Sequence, residues 1–267
     1  MSTSKRQSLV SHKMHAGRMI LIDGANLIHS GDASGKKILD IKGITQKLNG
    51  TAILVVVYMF LKHGFEVMVL MKNFFKDNKN ADNNFILEEL NRLEVLRFID
   101  DGLNDDTVLL RSVEFYGAAV ISRDRFKQAF YDRFPKGKAS AVSYKISRRS
   151  VSTEEQQSFS VPGAMVDLAC KIELKDFERL FVAKNDLDFS KVQNIHNQYL
   201  RSGALHKTFS AVNVLVDFLQ CEYCYYSRYP MPLLCYFTEK EPPTRFGEFQ
   251  KTIRLVCFEQ IKFTNNA

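Results

Sequence analysis

The sequence contains no run of the ~18 to 20 consecutive apolar residues that a membrane-spanning helix needs. Its longest apolar run, Ala52–Leu61, reads instead as a buried helix, so no membrane partner is expected. A signal-peptide core is also missing, because Ser2–Arg18 is polar and basic. No acid precedes Asp23, a pattern that also fits a transit peptide. The expected reading of residues 1–17 is a disordered basic tail. Cysteine is sparse and odd in number, five in all and crowded into the second half. Reduced thiols in the cytosol or nucleus account for that most simply. Cys221 and Cys224 form one close pair, Cys235 and Cys257 stand apart, and no histidine follows His206. A structural zinc site normally shows two tight pairs, so zinc is not expected. There is no HExxH, and His196 and His206 lack a pairing spacing. There is no P-loop and no GxGxxG, so nucleotide hydrolysis has no support, and no repeat of fixed period exists.

What is present is charge in one place. The chain has 267 residues and a net charge of +7. Residues 123–149 hold nine basic side chains and two acidic ones, which is the whole of that excess. The basic residues are Arg123, Arg125, Lys127, Arg133, Lys136, Lys138, Lys145, Arg148 and Arg149. Alone, such a stretch permits a nucleic acid, an anionic surface or a solvated loop.

The first half alternates strand-like and helix-like segments. Met19–Ile22 is a short apolar run ending at Asp23. Thr51–His63 is apolar nearly all round, with Gly64 in the position that ends a helix. Phe65–Met71 reads as a strand. Asn84–Leu96 places Phe85, Ile86, Leu90, Leu93 and Leu96 at helical spacing. Phe98–Ile99 reads as a short strand, Asp106–Tyr116 as a helix capped by Asp105, and Ala118–Ser122 as a strand. Such alternation predicts an α/β fold with a parallel sheet covered on both faces. Residues 147–163 read as a linker or surface excursion. From 164 to 267 the pattern is mostly helical, and its role is not set by the sequence.

Open α/β sheets bind ligands at the carboxyl ends of their strands. Asp23, the Asp105–Asp106 pair and Asp124 all fall at such ends or at adjoining helix starts. Clustered carboxylates repel one another, so a group of them implies a bound cation or protonated members. Hard oxygen donors suit Mg²⁺, with Mn²⁺ as the alternative. Gly24 permits close backbone approach, and Asn26 can hold a phosphate or a water. Asp100 and Asp101 read as solvated turn residues before Gly102.

Four blocks in order resemble the NYN branch of the PIN-like nucleases, most closely the Regnase-type endoribonucleases. They are Ile-Asp-Gly-Ala-Asn at 22–26, Phe-Leu-Lys-His-Gly at 60–64, Asp-Asp at 105–106, and Ile-Ser-Arg-Asp at 121–124 followed by Arg125-Phe126. The resemblance implies a Rossmann-like PIN fold over residues 18–146 and Mg²⁺-dependent cleavage of single-stranded or loop RNA. It implies a catalytic set of Asp23, Asn26, Asp105, Asp106 and Asp124, with metal at Asp23, Asp106 and Asp124. Two positions depart from the family pattern: Thr107 replaces an Arg, and Gln128 replaces a further Asp. The CCCH zinc finger of the Regnase proteins is missing too.

On this reading the basic stretch has a task, since it starts beside the acids. Arg123, Arg125, Lys136, Lys138, Arg148 and Arg149 are expected to contact phosphates, and Tyr144 to stack on an unpaired base. Phe126 and Phe130 are expected to face the core. The expected setting is cytoplasmic mRNA decay or RNA silencing, with RNA granules or the nucleus as alternatives. For the C-terminal half, whose apolar helical segments include Ala211–Leu219, completing the fold, a homodimer and docked decay or silencing proteins are all open. A nuclease-like RNA-binding scaffold with weak catalysis is the competing function. A phosphohydrolase is disfavoured, because Asp23 is followed by Gly24 and Ala25 rather than by a second acid two residues on.

Overall fold

The computed structural model describes residues 15–29, 48–77, 80–82, 84–124, 126–148 and 170–226. In chain order come β1 (His15–Gly17), β2 (Ile20–Asp23), α1 over residues 24–29, β3 (Leu48–Asn49), α2 (Thr51–Lys62), β4 (Val67–Lys72) and β5 (Ala81–Asp82). Then follow α3 (Asn84–Arg92), β6 (Leu96–Ile99), α4 (Asp105–Tyr116), β7 (Ala119–Ile121), α5 (Gln128–Arg133), α6 (Pro135–Ser140), β8 (Ala141–Val142) and β9 (Tyr144–Arg148). The described chain closes with β10 (Cys170–Leu174), β11 (Phe181–Ala183), α7 (Phe189–Arg201) and α8 (Ala204–Tyr226).

Five parallel strands form the central sheet, in the order β6-β4-β2-β7-β8. Alternation along each strand divides the core into two layers. Ile20, Ile22, Val67, Val69, Met71, Leu96, Ala119 and Ile121 face α2 and α3, joined by Val212, Leu215 and Val216 of α8. Met19, Leu21, Met68, Leu70 and Val120 face α4, whose Leu109, Leu110 and Val113 cover them with Phe126 and Phe134. Helices on both faces explain why β2 and β7 are fully apolar until their carboxyl ends.

Several expectations are met. α2 is buried nearly all round, and Gly64 follows it with φ 83°, a left-handed value that favours glycine. Phe126 and Phe134 are buried, and Phe130 and Tyr131 pack against them. Other expectations are corrected. The helix from Asn84 ends at Arg92, not Leu96. Glu94 turns the chain with φ 60°, and Leu96 instead pairs with Val69 to add the edge strand β6. Its helical spacing from Leu93 coincides with a strand start. The expected tail includes β1, which pairs antiparallel with β11; residues 1–14 lie outside the described residues. The region after 164 is mostly helical where described, as expected; strands β10 and β11 precede its two α-helices, and β10 pairs antiparallel with β9. Residues 149–163, most of the expected linker, are also outside the described residues.

Candidate active site

Chain order places the site. β2, β4 and β6 proceed towards one edge, and the chain then returns to put β7 on the other side of β2. Ligands of open sheets bind where the strand order reverses, so the carboxyl ends of β2 and β7 mark the crevice. Alternation then fixes which side chains stand there. Asp23 shares a face with Leu21, Lys72 with Leu70, and Ser122 with Val120; this is the face that α4 covers. Three adjacent strands thus bring Lys72 and Asp23, their last residues, and Ser122, just past β7, beneath the first turn of α4.

That first turn carries both acids of the pair. The cap is Asn104, not Asp105: Asn104 Oδ1 accepts a hydrogen bond from Thr107 N at 2.8 Å. Asp and Asn are equally good caps, so sequence alone did not separate them. With Asn104 in that role, Asp105 and Asp106 both lie inside the helix, and neither carboxylate is spent on the cap.

Asp23 is held on both sides. Its Oδ1 accepts from Asn26 N at 3.0 Å, and its Oδ2 accepts from Ser122 Oγ at 2.9 Å. Ser122 Oγ in turn accepts from Asp124 N at 3.0 Å. Asn26 Oδ1 accepts from Arg123 N at 2.9 Å and from the Tyr144 hydroxyl at 3.2 Å. Burial pushes the Asp23 carboxyl up to about 6 from 3.8; the bonds from Asn26 and Ser122 oppose this, and the charges of Asp124 and Asp106 add to it. Asp106 is also raised, by burial first and then by Asp105 and Asp124, while Lys127 and Lys72 pull it down. Asp23, Asn26, Asp105, Asp106 and Asp124 therefore converge on one crevice.

The expected phosphate contacts separate. Arg123 is exposed beside Asn26. Lys138 is exposed, with Nζ 5.8 Å from the centre of the Tyr131 ring. Lys136 does not belong to the crevice. Its Nζ bonds Asp188 at 2.7 Å and its backbone N donates to Glu114 in the last turn of α4. Glu114 stands about 12 Å along the helix axis from Asp106 at 1.5 Å per residue. Tyr144 is not a stacking platform. It is buried, and its hydroxyl orients Asn26. Arg125, Arg149 and the side chain of Arg148 lie outside the described residues.

Three further residues belong to this geometry without a local sequence signal. Ser122 bridges Asp23 and Asp124. Lys72 and Lys127 are the cations whose charge reaches Asp106. The signal for Lys72 was its parity with Leu70, which acts only once β4 is known to lie beside β2. A separate cavity of about 680 Å³ lies along α4 towards β6, lined by Met68, Leu70, Ile99 and Val108 among others; none of Asp23, Asp105, Asp106 and Asp124 lines it.

Tyr144→Phe tests the role of the hydroxyl. One hydrogen bond of this kind contributes about 1 kcal/mol. Its loss is expected to lower the unfolding temperature by roughly 2 to 4 °C, read from a circular-dichroism melt beside the wild type.

A Rossmann-like parallel sheet with carboxylates gathered at its switch point is the framework of a PIN-like nuclease. Residues 16–157 match the Zc3h12a-like ribonuclease NYN domain, more than half of the 267-residue chain, and the protein belongs to that family. No curated protein matches the sequence. Family membership gives the chain a nuclease-type, RNA-related function. No helix among the described residues is long and apolar enough to cross a membrane.

Proposed function

We propose that the protein is a divalent-metal-dependent endoribonuclease acting on single-stranded or loop RNA. The observation that carries this reading is Asp23: a buried carboxylate, fixed by Asn26 and Ser122, beside Asp106 and Asp124. A carboxylate is kept in such a place at a cost unless a cation offsets it.

The donor set suits Mg²⁺ or Mn²⁺. Among the described residues, no group of three or more His, Cys, Asp or Glu side chains is placed to hold a metal ion by direct contacts alone. Mg²⁺ keeps several waters and needs only one or two direct carboxylates, so an open group of oxygen donors is the right chemistry. Asp23, Asp106 and Asp124 would hold the ion directly or through water. The ion would supply charge neutralisation at a phosphodiester and a more acidic water. The side chains have their own tasks. The Asn26 backbone N–H orients one face of Asp23 while its side chain ties Arg123 N and Tyr144 to the site, Ser122 fixes the other face and ties it to Asp124, and Asp105 completes the shell or orients the attacking water. Arg123 and Lys127 draw the phosphate backbone towards the crevice.

The test is cleavage of a labelled single-stranded RNA by the purified protein in Mg²⁺, in EDTA, and by Asp106→Asn in Mg²⁺. Cutting by the wild type in Mg²⁺ alone, with loss of at least about a hundredfold in Asp106→Asn, is expected. Equal cutting by a folded Asp106→Asn protein contradicts the assignment. Thr107 and Gln128 favour the second reading, a nuclease-like RNA-binding scaffold, and binding without cutting in the same assay supports it. In either case the proposed setting is cytoplasmic mRNA decay or RNA silencing, with a homodimer or decay and silencing proteins as partners; the support is family resemblance.

A further inference from the structure

Lys72 is the least expected member of the crevice. Its side chain is only 15% exposed, although lysine normally keeps its ammonium in water. The ammonium is satisfied by main chain: Nζ donates to the carbonyl of Asp101 at 3.3 Å and to that of Leu103. Asp105 Oδ1 lies 3.9 Å away. The same turn is fastened twice more. Asn73 Nδ2 donates to Asp100 Oδ1 at 3.1 Å, and Phe74 N donates to Asp101 Oδ1 at 3.1 Å. Asp100 and Asp101 are exposed turn residues, as expected, and their carboxylates also join the 100–104 turn to Asn73 and Phe74, just beyond β4. That turn delivers Asn104, the cap that sets the acid pair inside α4.

Resting on the metal-dependent reading above, we infer that Lys72 is a positioning residue and the tethered counter-charge of the acid pair. It holds the 100–104 turn in place and partly offsets the charge of Asp105, 3.9 Å away, which leaves Asp105 to orient the attacking water. Asp23, Asp106 and Asp124 remain for one divalent ion. A fixed ammonium whose charge reaches Asp105 and Asp106 would also weaken the hold of these acids on a cation, relative to an all-acid cluster.

The test compares Lys72→Met and Lys72→Arg with the full-length wild type, and Mn²⁺ is the probe. Mn²⁺ binding, followed by the paramagnetic signal of free ion, is expected to tighten on the order of tenfold in Lys72→Met. Cleavage at saturating Mn²⁺ is expected to fall at least about tenfold in the same variant, because the acid pair loses its anchor. Lys72→Arg keeps the charge and is expected to hold Mn²⁺ within about threefold of the wild type. Loosening the turn is all that removal of a merely structural lysine would do, and it would weaken binding; net tightening therefore requires that the lost charge outweighs the lost anchor. Unchanged or weaker Mn²⁺ binding in Lys72→Met overturns the counter-charge. Hydrogen exchange of the amides of residues 101–107 in EDTA tests the anchor without metal. Faster exchange in Lys72→Met but not in Lys72→Arg supports it, and equal exchange in all three overturns it. A wild type that neither binds Mn²⁺ nor cuts RNA removes the nuclease reading, and Lys72 is then judged on exchange alone.

Discussion

Asp23→Asn is expected to unfold at a higher temperature than the wild type at pH 7.5 in EDTA, and to leave RNA uncut. Both halves come from one cause. Burial raises the Asp23 carboxyl to about 6 in the folded protein from 3.8. The protonated form is therefore favoured by folding, and ionisation opposes it. Below pH ~4 the group is protonated in both states, and no penalty exists. The penalty grows as pH rises from about 4 to about 6 and is complete above that, reaching about 3 kcal/mol. An amide carries no such penalty, although it must rearrange the bond with Ser122. A net gain of about 1 to 2 kcal/mol remains, or roughly 2 to 8 °C in unfolding temperature. Melts from pH 4 to pH 8 check the sign: the two proteins should converge at the acidic end. Added Mg²⁺ should raise the melting temperature of the wild type and not that of the variant. A variant less stable than the wild type at pH 7.5 in EDTA would mean that Asp23 is not a strained charge.

Gly24→Ala is expected to damage the fold and the site together. A Cβ at Gly24 would meet the Leu70 carbonyl oxygen at 2.8 Å, Val69 Cγ1 at 2.9 Å and Met71 Cγ at 2.9 Å. The first of these is backbone of the central strand β4 and cannot rotate away. Relief requires β2 and β4 to part at their carboxyl ends, where Asp23 pairs with Leu70. The cost is about 3 kcal/mol, the upper part of the range for overpacking, or roughly 6 to 12 °C. Cleavage should fall beyond what the lost stability explains, even at 15 °C, because Asp23 moves with the strand. A thermal melt beside a low-temperature cleavage rate separates the two effects. Wild-type values in both would show that the chain has room at Gly24.

The parallel sheet and the acidic crevice were both legible in the residues. β7 is apolar throughout and β2 up to its last residue, Asp23, which announces strands buried on both faces; Asp124 stands three residues beyond β7. What escaped was pairwise information. Lys72 is one lysine among many until register sets β4 beside β2. Asn104 and Asp105 compete for one cap on equal terms, and only the fold chooses. Lys136 lies close in sequence to Asp124, yet α6 carries it to the far end of α4, where Asp188 takes its charge. Tyr144 carries the composition of a stacking residue, but β9 turns its ring into the core. The strands β10 and β11 are short, and their partners β9 and β1 are distant in sequence, so no local period marks them.

The central claim is internal cutting of RNA at the Asp23 crevice. A covalently closed circle of single-stranded RNA has no end from which to degrade it. Incubation with the protein and Mg²⁺ should convert the circle to a linear strand of the same length, and Asp23→Asn or EDTA should leave it closed. A circle left intact by a folded wild-type protein that binds it would contradict endonucleolytic cleavage.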